Sequence, residues 1–367
     1  MTAAAARRAY RPELRPGVRF SPPLLRGPRT VRLIRHPATG AAFEVGEKEH
    51  FLIARLDGTR TLDDLAPLYA ERFGRRVGEE HWNRLLGLLG TRGLLVGAPD
   101  PVVPAPEPEP PNSLWRGTRP MVRDADATTA RLHRVLRPVL RPAVQLPLAA
   151  AVLALLVLLA WQAGPLVAAA GGLTGRPAAL AGIALFLWFS ITVHELAHGV
   201  AAQHYGGHVT EIGLKWRLPA ALLYCTVDDY LFLPGLRAKL VIAGAGAYLN
   251  MALLLPFGVW WLLLPAGAAE RPFVAGLLLL GTIQGLGNLV PLPPLDGYRM
   301  LGHALGTARL APETRAYLAL RRSGGAEAVA GYPPRARRLY AAYASGAVLL
   351  VLLAVTATAA LLFLLLR

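Results

Sequence analysis

Lysine and cysteine are nearly missing from this chain of 367 residues. Of its 39 basic side chains only Lys48, Lys215 and Lys239 are lysines, and the other 36 are arginines. With abundant Ala, Leu, Gly and Pro, that skew points to a high-GC bacterial genome. The single cysteine, Cys225, excludes an intramolecular disulfide and a Cys-rich metal knuckle. A signal peptide is also missing: the first forty residues are studded with Arg and Pro and hold no apolar core of the needed length. The N-terminus is therefore expected in the cytoplasm. The most informative absence is of charge. No Asp, Glu, Lys or Arg occurs from Pro142 to Gly175, Pro177 to Val193, Leu240 to Ala269, Pro272 to Leu295 or Leu339 to Leu366. A helix needs about 20 residues to cross about 30 Å of hydrocarbon. A wholly soluble protein is excluded, and a mainly α, polytopic bundle of five membrane helices is expected.

What is present fits that reading. Apolar residues make up 54% of the chain, and the formal net charge is +16. Basicity of this size raises nucleic acid as a partner, but the charges are sorted by topology: alternate sides of the five expected spans hold 36 and 3 Lys and Arg. Basic residues collect on the cytoplasmic side and face anionic lipid. The lipid bilayer, not nucleic acid, is the partner implied. The expected location is the bacterial plasma membrane, with the N-terminus inside and the C-terminus outside.

Ahead of the membrane part, Val31–Ile34 and Ala42–Val45 alternate apolar with polar around a turn containing Pro37 and Gly40, the pattern of a β-hairpin. Three short helices should follow, at 47–56, 62–73 and 79–89, punctuated by Gly58, Gly74 and Gly93. Thr61 with Asp64 three residues on starts the second. Pro67 argues that this helix begins at Asp63 or Asp64. Residues 1–29 are then a basic tail, 30–98 a small α+β winged-helix-like domain, 99–141 a linker and 142–367 the membrane domain. Within the linker, Pro99 to Asn112 is a Pro- and Glu-rich spacer, and Arg131 to Arg141 suits a helix on the inner leaflet.

The second span runs on past Val193 into His194, Glu195 and His198. Four residues along a helix place the two imidazoles on one face, one turn apart, able to share a tetrahedral Zn²⁺, with Glu195 beside them in reach of a water on the ion. Two histidines need a further ligand. His204 follows at the metzincin distance, but Ala201 stands where that motif has glycine, and on an unbroken helix His204 points about 240° away. His204 and His208 read as interfacial histidines. Past the fourth span, Asn288, Pro291, Pro293, Pro294, Asp296 and Gly297 hold a carboxylate on irregular backbone at membrane depth, tolerated only inside protein or beside a watery cavity. The second and fourth spans run in the same direction, so Asp296 arrives at the depth of His198 as the natural third ligand.

HELAH followed by NLVPLPPLDG resembles the signature of the site-2 protease class of intramembrane zinc metalloproteases. The resemblance implies that His194, His198 and Asp296 bind zinc and that Glu195 is the catalytic base. Gly246 and Asn250 are similar to a G-P-x-x-N stretch of that class, with Ala247 in place of the proline; Asn250 and Asn288 are implied in substrate binding. Tyr224 to Asp228 resembles a loop of its peptide-metallopeptidase branch, giving Cys225 and Asp228 a structural or substrate-lining role. Residues 30–98 resemble PqqD-like elements that bind leader peptides of ribosomally made, modified peptides, and imply a precursor peptide captured by β-augmentation. Two other readings stand beside this one: regulated proteolysis of a membrane-protein substrate such as an anti-sigma factor, and a non-catalytic protein of peptide export or immunity.

Overall fold

The structure, a computed structural model, describes residues 10–100, 112–218, 220–228, 230–233, 235–307 and 309–365. Most of the Pro- and Glu-rich spacer lies outside the described residues. The chain divides into two compact units, Met1–Glu109 with Gly306–Arg367, and Pro110–Leu305.

The first unit opens with four antiparallel strands, β1 (Arg19–Phe20), β2 (Leu24–Arg26), β3 (Arg29–Arg35) and β4 (Ala42–Gly46). β1 and β2 pair successive stretches of β3, while β4 pairs it from Val31 to Arg35. Between β1 and β2, Ser21 keeps the ladder going across Pro22 and Pro23: its N–H donates to Leu33 O, and its hydroxyl accepts from Leu33 N–H. The segment expected as a basic tail thus supplies two strands. Its Leu24 is buried, and Leu14, Val18 and Phe20 pack on the core of Ile34, Leu52 and Leu89, which is why it is held rather than loose.

Helices α1 (Glu47–Ile53), α2 (Leu62–Phe73) and α3 (Glu79–Thr91) follow. Thr61 and Asp64 close a reciprocal capping box on α2, and Gly74 at φ 67° ends it in the left-handed conformation that glycine adopts without strain. The helix starts at Leu62 despite Pro67. The carbonyl that Pro67 cannot pair is that of Asp63, and both residues are exposed, so the lost bond falls on the solvent side of the helix.

The second unit contains β5 (Arg116–Pro120), α4 (Ala125–Leu136), α5 (Pro142–Trp161), α6 (Ala163–Ala170), α7 (Pro177–His204), β6 (His208–Arg217), β7 (Ala220–Asp228), α8 (Leu236–Leu253), α9 (Leu255–Leu263), α10 (Arg271–Gly287) and α11 (Asp296–Leu305). β5, β6 and β7 form an antiparallel sheet. Two parts of the expected linker are therefore structural: β5 pairs with β6, and α4 packs on α7, where Asp126 accepts from Gln203 Nε2 at 2.6 Å and Val209 N–H at 3.0 Å. Burial works against the charge of Asp126, but these bonds and His208 outweigh it and hold the carboxyl below its usual range.

The expected spans are redrawn as well. Four helices among the described residues are long and apolar enough to cross a membrane: Pro142–Trp161, Pro177–His204, Leu236–Leu263 and Pro334–Ala359. The first charge-free run breaks after Trp161, because Pro165 has no N–H for the Trp161 carbonyl. The run from Pro272 yields only the 17-residue α10, about 25 Å long. It is the central helix of its unit, with Val274, Ala275, Leu277 and Leu278 wholly buried. A Cβ on Gly276, Gly281 or Gly285 would meet side chains of Leu173, Leu254 or Met251 at 2.2–2.7 Å, so small residues here set how closely the helices approach.

The first unit resumes with α12 (Leu310–Ala328) and α13 (Pro334–Leu365), which were expected to belong with the membrane domain alone. They group with the N-terminal sheet because the turn between β2 and β3 packs on them. Gly306 O accepts from Leu25 N–H at 2.7 Å, the Tyr340 hydroxyl donates to Gly27 O at 3.3 Å, and the rings of Tyr317, Tyr332 and Tyr340 pack edge-on or tilted against one another nearby.

Candidate metal centre

Helix α7 begins with Pro177 in its first turn, where a missing N–H does no harm, and runs unbroken for 28 residues. His194 and His198, one turn apart on it, are each only 4% exposed. Their Nε2 atoms lie 3.1 Å apart. Asp296, the first residue of α11 and 6% exposed, brings Oδ2 to 2.9 Å from Nε2 of His194 and 3.3 Å from Nε2 of His198. The third expected ligand thus meets the histidine pair, at the start of a helix rather than on irregular backbone. Gly297 holds it there. A Cβ on this residue would fall 1.9 Å from Leu289 O, and its N–H donates to Asn288 O at 2.8 Å, so the proline-rich loop folds back onto the helix start.

Three acceptor-bearing atoms converge in this way, and Asp296 Oδ2 is fully buried with no hydrogen bond. An orphaned buried carboxylate oxygen is costly unless a cation compensates it. Tetrahedral bonds of about 2.0–2.1 Å separate ligand atoms by about 3.3 Å, and the observed triangle matches this to within about 0.4 Å. Glu195, half-buried, offers a carboxylate oxygen within 4.8 Å of ligand atoms on both histidines. The His194, Glu195 and His198 group can hold a metal ion, and Asp296 Oδ2 lies beside both histidine nitrogens.

Neighbouring residues set the ring orientations. His198 Nδ1–H donates to the Ile242 carbonyl of α8 at 2.7 Å; a carbonyl only accepts, so the Nε2 lone pair faces the centre. Behind His194, Asn250 Nδ2 lies 3.1 Å from Nδ1, and Asn250 Oδ1 accepts from Ser190 Oγ at 3.0 Å. Turning the amide over exchanges the contacts: Oδ1 then accepts from Nδ1–H, Nδ2 donates to Ser190, and the Nε2 lone pair is freed for an ion. Asn250 is 2% exposed and sits behind the His194 ring. Asn288, half-buried, caps α10 and gives its carbonyl to Gly297, leaving its side-chain amide unused among the described residues.

Gly246 explains itself at this point. A Cβ there would lie 2.5 Å from three atoms of the His194 ring, so the imidazole rests directly on the backbone of α8. Gly246→Ala is expected to weaken binding of a divalent metal ion by about 10- to 100-fold, the size of effect seen when a ligand's support is displaced, as read by competition with a chromogenic chelator. Gly244→Ala is the control, because a Cβ there touches only the flexible Met300 at 3.7 Å.

The other candidates are elsewhere. His204 pairs with His133 at 3.3 Å, and His208 lies 3.2 Å from Asp126. Asp228 accepts from Thr210 Oγ1 at 3.4 Å. Cys225 packs its sulfur against Gly199, and burial, aided by the Glu195 carboxylate, pushes its thiol up to about 12.

Sequence reasoning missed the β6–β7 hairpin. Trp188 Nε1–H donates to Ala221 O at 3.4 Å, and Cys225 N–H donates to Glu195 Oε2 at 3.3 Å. Trp188 and Glu195 are seven residues apart, on one face of α7, so β7 lies along the side of the helix that carries Glu195. The signal available was the alternation of Ile212, Leu214 and Trp216 with polar residues. No family model, curated protein or solved structure gives a match to this chain.

Proposed function

We propose that this chain is an intramembrane zinc metalloendopeptidase of the site-2 protease kind, acting on a peptide captured by its N-terminal domain. The observation that carries the reading is the closed triangle of His194, His198 and Asp296, with Glu195 beside it, among helices apolar enough to span a membrane. Such a site among ionisable residues at membrane depth is functional by default.

The ligand set is two neutral imidazoles and one carboxylate, a combination typical of hydrolytic zinc with a position left open. His194, His198 and Asp296 would hold such an ion, which would supply Lewis-acid activation of water and of a scissile carbonyl. Glu195 would serve as the base that takes a proton from the attacking water and returns it to the leaving amine. Its hydrogen bond from Cys225 N–H orients the carboxylate and leaves the second oxygen free. A helical substrate hides its carbonyls, so cleavage requires an extended one. Among the described strands β7 pairs only with β6, and its other edge turns the Cys225 N–H toward Glu195; a substrate strand laid along that edge would pass the metal centre.

In the first unit, β4 likewise pairs only with β3 among the described strands. That open edge supports capture of a leader segment of a ribosomally made precursor, with the N-terminus in the cytoplasm as the distribution of arginine implies.

The test uses the full chain in lipid nanodiscs. After metal loading, a library of extended peptides is expected to be cleaved, as read by mass spectrometry. Treatment with 1,10-phenanthroline should lower the rate at least a hundredfold, and added Zn²⁺ should restore it. A chain that takes up less than a tenth of an equivalent of metal would overturn the assignment.

A further inference from the structure

A cavity of about 400 Å³ opens between α12 and α13 in the first unit, which holds none of the candidate metal ligands. Its floor is apolar: Tyr317 and Val329 are 2% and 3% exposed. Three arginines also line it, Arg321 from α12 and Arg337 and Arg338 from the first turns of α13. Gly325, at φ 67° and ψ −157°, kinks α12 just after Arg321 and lets the chain curl around the opening. No carboxylate or other side chain pairs with any of these three arginines among the described residues. Three like charges gathered around one apolar hollow repel each other unless an anion joins them.

The place of the cavity indicates which anion. Immediately after Arg338 the chain enters the charge-free run from Leu339 to Leu366, and Pro334–Ala359 is apolar enough to span a membrane. The arginines therefore stand at the depth of lipid headgroups. Arginine at such a boundary meets anionic headgroups, and basic pockets beside spanning helices are built for them. A free phosphate would satisfy the three arginines and leave the apolar floor wet, whereas the glycerol and upper acyl carbons of a phospholipid would cover it. The volume lies within the range of small-molecule sites.

We infer that this cavity is a binding site for one anionic glycerophospholipid, whose phosphate is held by Arg321, Arg337 and Arg338 and whose glycerol end rests on Tyr317 and Val329. The inference stands apart from the metal centre and from the proposed peptidase activity.

The test uses the full-length protein, delipidated in detergent and titrated with dioctanoyl phosphatidylglycerol, dioctanoyl phosphatidylcholine or inorganic phosphate, followed by native mass spectrometry and thermal shift. Phosphatidylglycerol is expected to bind one per chain, at least tenfold more tightly than phosphatidylcholine. At about fivefold per arginine, the triple variant Arg321→Gln, Arg337→Gln, Arg338→Gln should lose about a hundredfold in that affinity. The matching Lys triple variant should stay within tenfold of the wild type, which separates lost charge from lost folding. Replacing Arg131, Arg134 and Arg137 by Gln should leave binding unchanged. Equal binding of the two lipids, a Gln triple variant within threefold of the wild type, or inorganic phosphate raising the melting temperature as much as phosphatidylglycerol would each overturn the inference.

Discussion

Glu195→Gln is expected to lower peptide hydrolysis by about a thousandfold while bound metal stays at one equivalent. The two halves of this expectation come from different features. Glu195 stands beside the triangle of ligand atoms rather than in it: His194, His198 and Asp296 approach one another at 2.9–3.3 Å without its help. Glutamine has the same shape, and its carbonyl oxygen accepts the Cys225 N–H as the carboxylate does, so neither the ligands nor the edge of β7 should move. What glutamine cannot do is take a proton. A positioned general base contributes about 10²- to 10⁴-fold, and here the same group must also supply the proton to the leaving amine. The loss should therefore fall on kcat, with KM little changed, since Glu195 makes no contact that would bind substrate and transition state equally. Metal content by mass spectrometry and turnover on one cleaved peptide are the two readouts. Full activity would remove the base from its role, and loss of metal would make Glu195 a ligand instead.

How much of this was legible beforehand depends on whether the governing interactions are near or far in the chain. The pairing of His194 with His198 follows from helix periodicity alone, and the capping box of Thr61 and Asp64 from a three-residue spacing. Asp296 could be placed at the right depth because Pro291, Pro293 and Pro294 end the preceding apolar run and span direction fixes the side. That Oδ2 should lie 2.9 Å from His194 is a tertiary fact, set by the backbone contact of Gly297 with Leu289. Charge counting also misled in two ways. It passed over Pro165, which breaks a run that carries no charge, and it left 208–223, where Glu211, Lys215 and Arg217 sit, without an assigned element, although these three residues occupy a strand. The grouping of 306–367 with the N-terminal sheet rests on contacts such as Tyr340 with Gly27, 313 positions apart, for which no local pattern exists.

Asp296→Asn is expected to cut the affinity for Zn²⁺ on the order of a thousandfold, and to act with opposite sign on the loaded and the metal-free protein. In the loaded state the carboxylate supplies the only negative charge in the triangle. Partners that merely support a ligand are worth about 10- to 100-fold, so loss of an anionic ligand itself should exceed that. An ion present at a hundred times its dissociation constant stabilises the fold by about 2.7 kcal/mol. Under the same conditions a variant binding a thousandfold more weakly gains almost nothing, and its melting temperature should no longer rise with Zn²⁺. In the metal-free state the reasoning reverses. Asp296 Oδ2 is then buried and without a hydrogen bond, a penalty of about 1–3 kcal/mol or more for a charged group. Asparagine carries no charge and can donate to a histidine nitrogen, which relieves the penalty. One loss opposes this gain: Asp296 opens α11, where a negative charge favours the helix by about 0.3–1 kcal/mol. The desolvation term is the larger, so in the presence of chelator the variant should melt no lower than the wild type. Differential scanning fluorimetry with chelator and with Zn²⁺, on both proteins, separates the possibilities. If the variant is strongly destabilised with chelator present, the carboxylate is a structural partner of the two imidazoles. Unchanged metal affinity would remove Asp296 from the coordination sphere, and with it the closed site on which hydrolysis depends.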